Sequence, residues 1–288
     1  MGTVGENILQ YRLKRGLSRN ELVDGICNES TLFRIEKGNV LPSMYTVEQL
    51  CIRLNIPMSV LFDEQKDDER ISIISLKQRC RKHVYDKNYD KLSEDLRKLK
   101  EETSNMNNYL DHLFIVWHEA IILHKLNRCS KQAKEILLKS LPDKYVLETE
   151  IAMANTLGLI CASSEETDEA LHYFKKAYME IKNITDLDDQ TLYVRVVYNY
   201  ASQLFYLKDY EQVIILANQL ISYLKNNHLF YMRGRTFHML GKTYEKMSDF
   251  VLAEKYMLQA ISVFTIEELA DYLKKAEEDL TVIRSHLV

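Results

Sequence analysis

Four cations, Arg12, Lys14, Arg15 and Arg19, fall within eight positions near the N-terminus. That density suits the neutralisation of phosphate groups, and equally a solvated helix face. Just downstream, residues 28–38 read NESTLFRIEKG, a short polar helix closed by glycine that carries one aromatic ring, Phe33, among its polar side chains. No comparable grouping supports catalysis. His118-Glu119-Ala120-Ile121-Ile122 starts like a zinc-protease helix, but His124 stands two residues too far along to share the ion. The sequence has no glycine-rich phosphate loop and no G-x-S-x-G elbow, and its eight histidines are scattered. The five cysteines, Cys27, Cys51, Cys80, Cys129 and Cys161, are odd in number, widely spaced and never paired as C-x-x-C. They read as reduced, mostly core thiols, not as zinc ligands or disulfides. No enzymatic activity, metal or cofactor is expected.

The elements that must hold these residues are helical. With three prolines and eight glycines in 288 residues, and Leu, Lys, Glu, Ile and Ala recurring, the composition predicts an all-α fold of long helices and short loops. A hydrophobic content of 46% is enough for a sizeable core in one or two domains. The formal charge of −4 provides no basic bulk field, so any nucleic-acid contact must be local. No basic stretch precedes an apolar run at the N-terminus, and no apolar segment approaches the roughly 20 residues needed to cross a bilayer. The expectation is a cytoplasmic protein without membrane contact.

Residues 5–64 divide into five short helices. Ile8, Leu9 and Leu13 follow one stripe that Gly16 stops; Ser18 and Glu21 then form an S-x-x-E capping box for a helix from Arg19 to Ile26. NESTLFRIEKG follows, then a loop ending at Pro42-Ser43, a helix with Val47, Leu50, Cys51 and Leu54, and a last piece at 57–62. The boundaries read as a module at 1–64, a charged linker at 65–70 that is free to be helical, and a second domain at 71–288.

The run Leu17-Ser18, Glu21-Leu22, Ser30-Thr31-Leu32, Arg34-Ile35-Glu36-Lys37-Gly38, Pro42-Ser43 and Leu54-Asn55-Ile56-Pro57 resembles the helix-turn-helix of the phage-repressor, or XRE, family. That resemblance implies a double-stranded DNA operator read by the second helix of the pair, with neighbouring elements gripping phosphates. A projection at about 100° per residue puts Leu32, Ile35 and Glu36 on the inner side and Ser30, Phe33, Arg34 and Lys37 outside. The implied DNA-contacting set is Arg19, Asn28, Glu29, Ser30, Thr31, Phe33, Arg34 and Lys37. By the same resemblance, Glu36 pairs with Arg12 as a structural ion pair. Arg19 replaces the glutamine often found at its position in the family. Phe33 stands where many relatives carry a polar residue; the ring either touches a thymine methyl or packs on the loop near Val40 and Leu41.

Beyond residue 70 amphipathic helices come in pairs. In two of them a glycine and an alanine are twelve apart, 158 to 170 and 241 to 253, and a second alanine follows seven later. Small residues let two helices of a hairpin close up, while stacking of neighbouring hairpins buries the larger ones. The pattern resembles tetratricopeptide repeats, which implies a right-handed superhelical array of hairpins, with residues 266–286 as a terminal cap.

Together, the two halves resemble the RNPP family of peptide-responsive quorum-sensing regulators. The resemblance implies a homodimeric transcription factor whose repeats bind a short signalling peptide. Asn155 and Asn199 match peptide-clamping asparagines of that family, an amide being able to donate and accept at once, although either could instead be bonded within the array. Arg195, Gln203, Arg235, His238 and Lys242 fall on or near the same predicted face and offer partners for a peptide carboxylate or acidic side chain. Two alternatives stay open: a constitutive or prophage-type repressor that uses its repeats only to dimerise, and a regulator that docks on a signalling protein.

Overall fold

The computed structural model describes residues 4–58, 61, 67–104, 108–184 and 186–287, with side chains described from residue 72 onward in the helix that begins at Asp67. Among these residues every regular element is an α-helix, fifteen in all. The chain forms two compact units, Met1–Gln78 and Arg79–Val288.

The first unit holds α1 (Val4–Lys14), α2 (Arg19–Val23), α3 (Glu29–Glu36) and α4 (Met44–Leu54). Each start after α1 is set by a short polar side chain satisfying an orphan backbone N–H. Ser18 Oγ accepts from Glu21 N at 3.2 Å while Ser18 N donates to Glu21 Oε2 at 2.7 Å, the reciprocal box expected from the sequence. Asn28 Oδ1 accepts from Thr31 N at 2.8 Å, and Ser43 Oγ from Thr46 N at 3.1 Å. Ile8, Leu22, Leu32, Ile35, Val47, Leu50, Leu54 and Leu61 form the core. Gly5 sets the approach of α1 to α3: a Cβ there would lie 1.8 Å from the Ile35 carbonyl oxygen, so only glycine fits between the two backbones.

The apolar stripe expected on α1 is corrected here. Leu13 is 62% exposed, whereas Arg12 is buried. Gly5, Ile8 and Arg12 form the inward stripe, because a carboxylate on α3 draws the guanidinium inside and the helix turns Leu13 out. Residues 59, 60 and 62 of the last short piece, at 57–62, lie outside the described residues, as do residues 65 and 66 of the charged linker; residues 67–70 begin α5 (Asp67–Tyr85). The division between the two units falls within α5.

The second unit continues through α6 (Tyr89–Thr103), α7 (Tyr109–Lys125), α8 (Ser130–Ser140), α9 (Glu148–Ser163), α10 (Thr167–Ile181), α11 (Gln190–Tyr206), α12 (Tyr210–Asn226), α13 (Arg233–Lys246), α14 (Phe250–Ile266) and α15 (Ala270–Arg284). Successive helices pack in hairpins, and each of α7, α9, α11 and α13 also touches the next member of the series α7, α9, α11, α13, α15. The first helices of the hairpins therefore form one continuous wall, closed by α15.

Close approach within hairpins rests on the small residues seen in the sequence. A Cβ on Gly158 would sit 2.5 Å from the Phe174 ring, and one on Gly241 would sit 3.1 Å from Met257 Cε. Ala170, Ala177, Ala253 and Ala260 are fully buried opposite them. Three turns share one chemistry: Lys87, Lys208 and Ser248 take left-handed φ values of 56°, 64° and 64°, and the next residue, Asn88, Asp209 or Asp249, caps the following helix. An aromatic residue, Tyr89, Tyr210 or Phe250, then opens that helix.

Candidate nucleic-acid interface and ligand groove

On α3 the inner side consists of Leu32, Ile35 and Glu36, all buried, and the outer side presents Glu29, Ser30, Phe33, Arg34 and Lys37 to solvent. Glu36 is the electrostatic centre of the unit. Arg12 Nε donates to Glu36 Oε1 at 2.6 Å, and Arg19 Nε donates to Glu36 Oε2 at 2.7 Å. Arg12 is further tied to the Leu17 carbonyl oxygen at 2.9 Å. Two guanidiniums thus share one carboxylate, leaving a net positive charge beside the outer face.

Asn28 is exposed, but its Oδ1 accepts from Ser30 Oγ and Thr31 Oγ1 as well as from Thr31 N. Those three side chains are knitted into the cap of α3. Arg34 and Lys37 make no ion pair among the described residues and stand free to meet anions. Phe33 is 44% exposed and lies under the Arg19 guanidinium, whose carbon is 5.0 Å from the ring centroid.

In the second unit the wall of first helices borders a cavity of about 840 Å³, within the usual size range of small-ligand sites. Trp117 on α7, Leu159 on α9, Arg195 and Asn199 on α11, Arg235 on α13 and the end of α5 line it. Its charged lining is unbalanced: Arg81, Lys82, Lys87, Arg195 and Arg235 face Asp188, Asp189 and Glu267. Arg195 Nη2 holds Asp189 Oδ2 at 2.9 Å. Burial raises the Asp189 carboxyl, but the Arg195 charge and bonds from Thr191 outweigh it and keep the group below its ordinary value. A smaller cavity of about 400 Å³, lined by Ser163, Thr167, Ser202, Gln203 and Tyr206 among others, shares Leu159 and Asn199 with the first. The two compartments are neighbours: the larger is cationic and aromatic, the smaller mixes hydroxyl and amide groups with Leu159, Ala162 and Phe174.

Asn199 stands at the junction. Its Nδ2 donates to Asn155 Oδ1 at 3.0 Å, and Asn155 is only 5% exposed. Asn155 acts from beneath, leaving Asn199 its carbonyl and a second N–H. Gln203 Nε2 donates to the Thr167 carbonyl oxygen at 3.3 Å and borders the smaller cavity. Arg235 spreads over the Tyr272 ring, 4.4 Å from its centroid.

His238 and Lys242 border neither cavity. His238 Nε2 lies 2.8 Å from Asp279 Oδ2, and Lys242 Nζ donates to Asp279 Oδ1 at 3.1 Å, so both are spent on fastening α13 to α15. Cys161, Glu166 and Glu169 come close enough to suggest a metal site. Lys134 Nζ fills it instead, 2.7 Å from Glu166 Oε2 and 2.6 Å from Glu169 Oε2. Burial also pushes the Cys161 thiol up to about 12, which keeps it protonated and a poor ligand.

Residues 78–279 match the family model described as the RNPP family C-terminal domain. The chain belongs to the RNPP family. No curated protein matches it. Likeness of fold to solved structures extends over both units. Bacillus thuringiensis PlcR, solved in complex with the peptide PapR7 and DNA, is 21% identical with a TM-score of 0.78, over 96% of this chain and 99% of that one. ComR from S. thermophilus, in complex with DNA and its signalling peptide ComS, is 15% identical with a TM-score of 0.65, over 98% and 99%. The Streptococcus dysgalactiae SHP pheromone receptor Rgg2 is 16% identical with a TM-score of 0.59, over 96% and 98%.

Sequence reasoning missed the share of the RNPP groove that comes from Arg81, Lys82, Tyr85 and Lys87, at and just after the end of α5, and from Tyr231. The run Arg79-Cys80-Arg81-Lys82-His83 was the available signal. Arg79 and His83 bond to Asp95 of α6, at 2.8 Å and 3.3 Å. Their neighbours Arg81 and Lys82 border the cavity.

Proposed function

We propose that this RNPP-family chain is a cytoplasmic transcription regulator, not an enzyme, that binds a DNA operator through α3 and a short peptide through the groove of its second unit. The reading takes the chain to act as a homodimer, with two α3 helices reaching half-sites separated by whole turns of the duplex, about 34 Å or a multiple of it. Arg19, Glu29, Ser30, Phe33, Arg34 and Lys37 would meet DNA, while Asn28 and Thr31 hold the start of α3 in shape. A charged linker near 65–70 would join the DNA module to the repeat domain.

The observation that carries the peptide half is that Asn199, an amide with donor and acceptor capacity, lines both cavities. An extended peptide needs its own amides satisfied, and the cationic compartment suits an acidic side chain or terminal carboxylate. No helix among the described residues is long and apolar enough to cross a membrane, which supports the cytoplasmic placement. A regulator of this kind works when peptide and DNA each favour one of two arrangements of the chain, so that either ligand raises or lowers the affinity for the other.

The test is isothermal titration of the full chain with peptides enriched from a random heptapeptide library. Binding that weakens about tenfold when Asn199 is replaced by alanine, the loss of one to two hydrogen bonds, supports the groove. Enrichment of no peptide would refute the peptide half.

A further inference from the structure

Phe33 was expected either to read a thymine or to pack on the following loop. The structure adds a third feature, a guanidinium laid on the ring. Phe33 is 44% exposed, it is not among the apolar residues that pack against the core of its unit, and its ring contact among the described residues is with Arg19.

Arg12 and Arg19 both bond to Glu36 but differ in every other respect. Arg12 is 8% exposed at its side chain and also bonded to a backbone carbonyl, so it belongs to the interior. Arg19 is 31% exposed and gives Glu36 only its Nε. A planar guanidinium with Nε spent on a fixed carboxylate and one face laid on an aromatic ring keeps only its Nη edge for other partners, and cannot swing. Because Arg12 already neutralises Glu36, the charge of Arg19 is available. Arg19 opens α2, the first helix of the pair, and in this motif the first helix crosses the sugar-phosphate backbone while the second enters the groove.

We infer that Phe33 is a positioning residue: with Glu36 it pre-orients Arg19 as a clamp for one backbone phosphate of each half-site, and the ring itself reads no base. The inference rests on the proposed operator binding. Phe33 then contributes affinity without sequence preference. On this inference the sequence information stays with other exposed side chains of α3, Glu29, Ser30 and Arg34.

The experiment uses the full chain, with an operator enriched from a random duplex library. Affinity of wild type, Phe33→Ser, Phe33→Tyr, Arg19→Gln and the Phe33→Ser/Arg19→Gln double variant is measured against salt, alongside melting temperature. Phe33→Ser should weaken binding about two- to five-fold per half-site, the value of an exposed cation–π contact, equally on the operator and on unrelated duplex. Phe33→Tyr should restore it. Arg19→Gln should lower the slope of log affinity against log salt by about 0.9 per half-site, and the double variant should bind no worse than Arg19→Gln.

Three results would overturn the inference: a Phe33→Ser change confined to one base pair of the enriched site, a Phe33→Ser loss of equal size in the Arg19→Gln background, or a melting temperature that falls in step with affinity. If wild type enriches no duplex at all, the operator reading fails with it, and that outcome is distinct from the other three.

Discussion

Glu36 is the most consequential single residue of the first unit, and replacing it with alanine should cost that unit about 3–5 kcal/mol, as for a buried pair that loses one partner. The figure comes from Arg12. Both side chains of the pair are nearly sealed, 8% and 1% exposed, so removing the carboxylate leaves a buried guanidinium with the Leu17 carbonyl as its remaining bond. Arg19 adds little, being 31% exposed and therefore screened, with a share of no more than about 1 kcal/mol. The one tryptophan, Trp117, lies in the second unit, so fluorescence would miss the effect; native-state hydrogen exchange of α1–α4 would report it. Amides there should exchange about two to three and a half orders of magnitude faster in Glu36→Ala, at one order per 1.4 kcal/mol, with α9–α14 unchanged. Arg12→Met combined with Glu36→Leu should recover most of the protection, because no buried charge is then orphaned. An increase below tenfold in α1–α4, or a double variant as damaged as Glu36→Ala, would refute the reasoning.

Other consequences concern the second unit. Gly158→Ala puts a methyl 2.5 Å from the buried Phe174 ring and should destabilise by about 1–3 kcal/mol, read as a lower urea midpoint of Trp117 fluorescence. Asp279 has a lowered pKa: burial raises it, but bonds from His238 and Lys242 prevail. The folded chain therefore binds that proton less readily than the unfolded chain, so the contribution is complete above the usual carboxylate range and is lost as pH falls through about 4 and below. Asp279→Asn should flatten that acid limb in a pH series of melting temperatures. Arg235→Glu should reduce affinity for enriched peptides that carry an acidic residue more than for their amidated, uncharged counterparts, measured by titration at two salt concentrations.

Local chemistry was the most legible part of the sequence. Ser18 with Glu21 and Asn28 before α3 announce helix starts because a cap needs only three neighbouring residues, and the spacing of Gly158, Ala170 and Ala177 announces close helix pairing for the same reason of short range. Periodicity failed at Arg12 and Leu13, where apolar counting assigns the interior to leucine; an ion pair across 24 positions reversed the two. His238 and Lys242 share a face with Arg235 on a helical projection, yet Asp279, 41 and 37 residues away, captures both. Such partners are set by the stacking of hairpins, which no local window contains. At the α5 end of the groove the basic run 79–83 marks a cationic segment, but nothing near it in the sequence says that Arg81 and Lys82 share a cavity with Arg195 and Tyr231.

The central claim is that one chain couples peptide binding to operator binding. Its most direct test is the affinity of the full chain for a library-enriched operator, followed by fluorescence anisotropy with and without a saturating groove-binding peptide. The account predicts an enriched site with two-fold symmetry and an operator affinity that the peptide shifts at least five-fold, with the reciprocal shift in peptide affinity when operator is present. A peptide that binds the groove while operator affinity stays the same would contradict it.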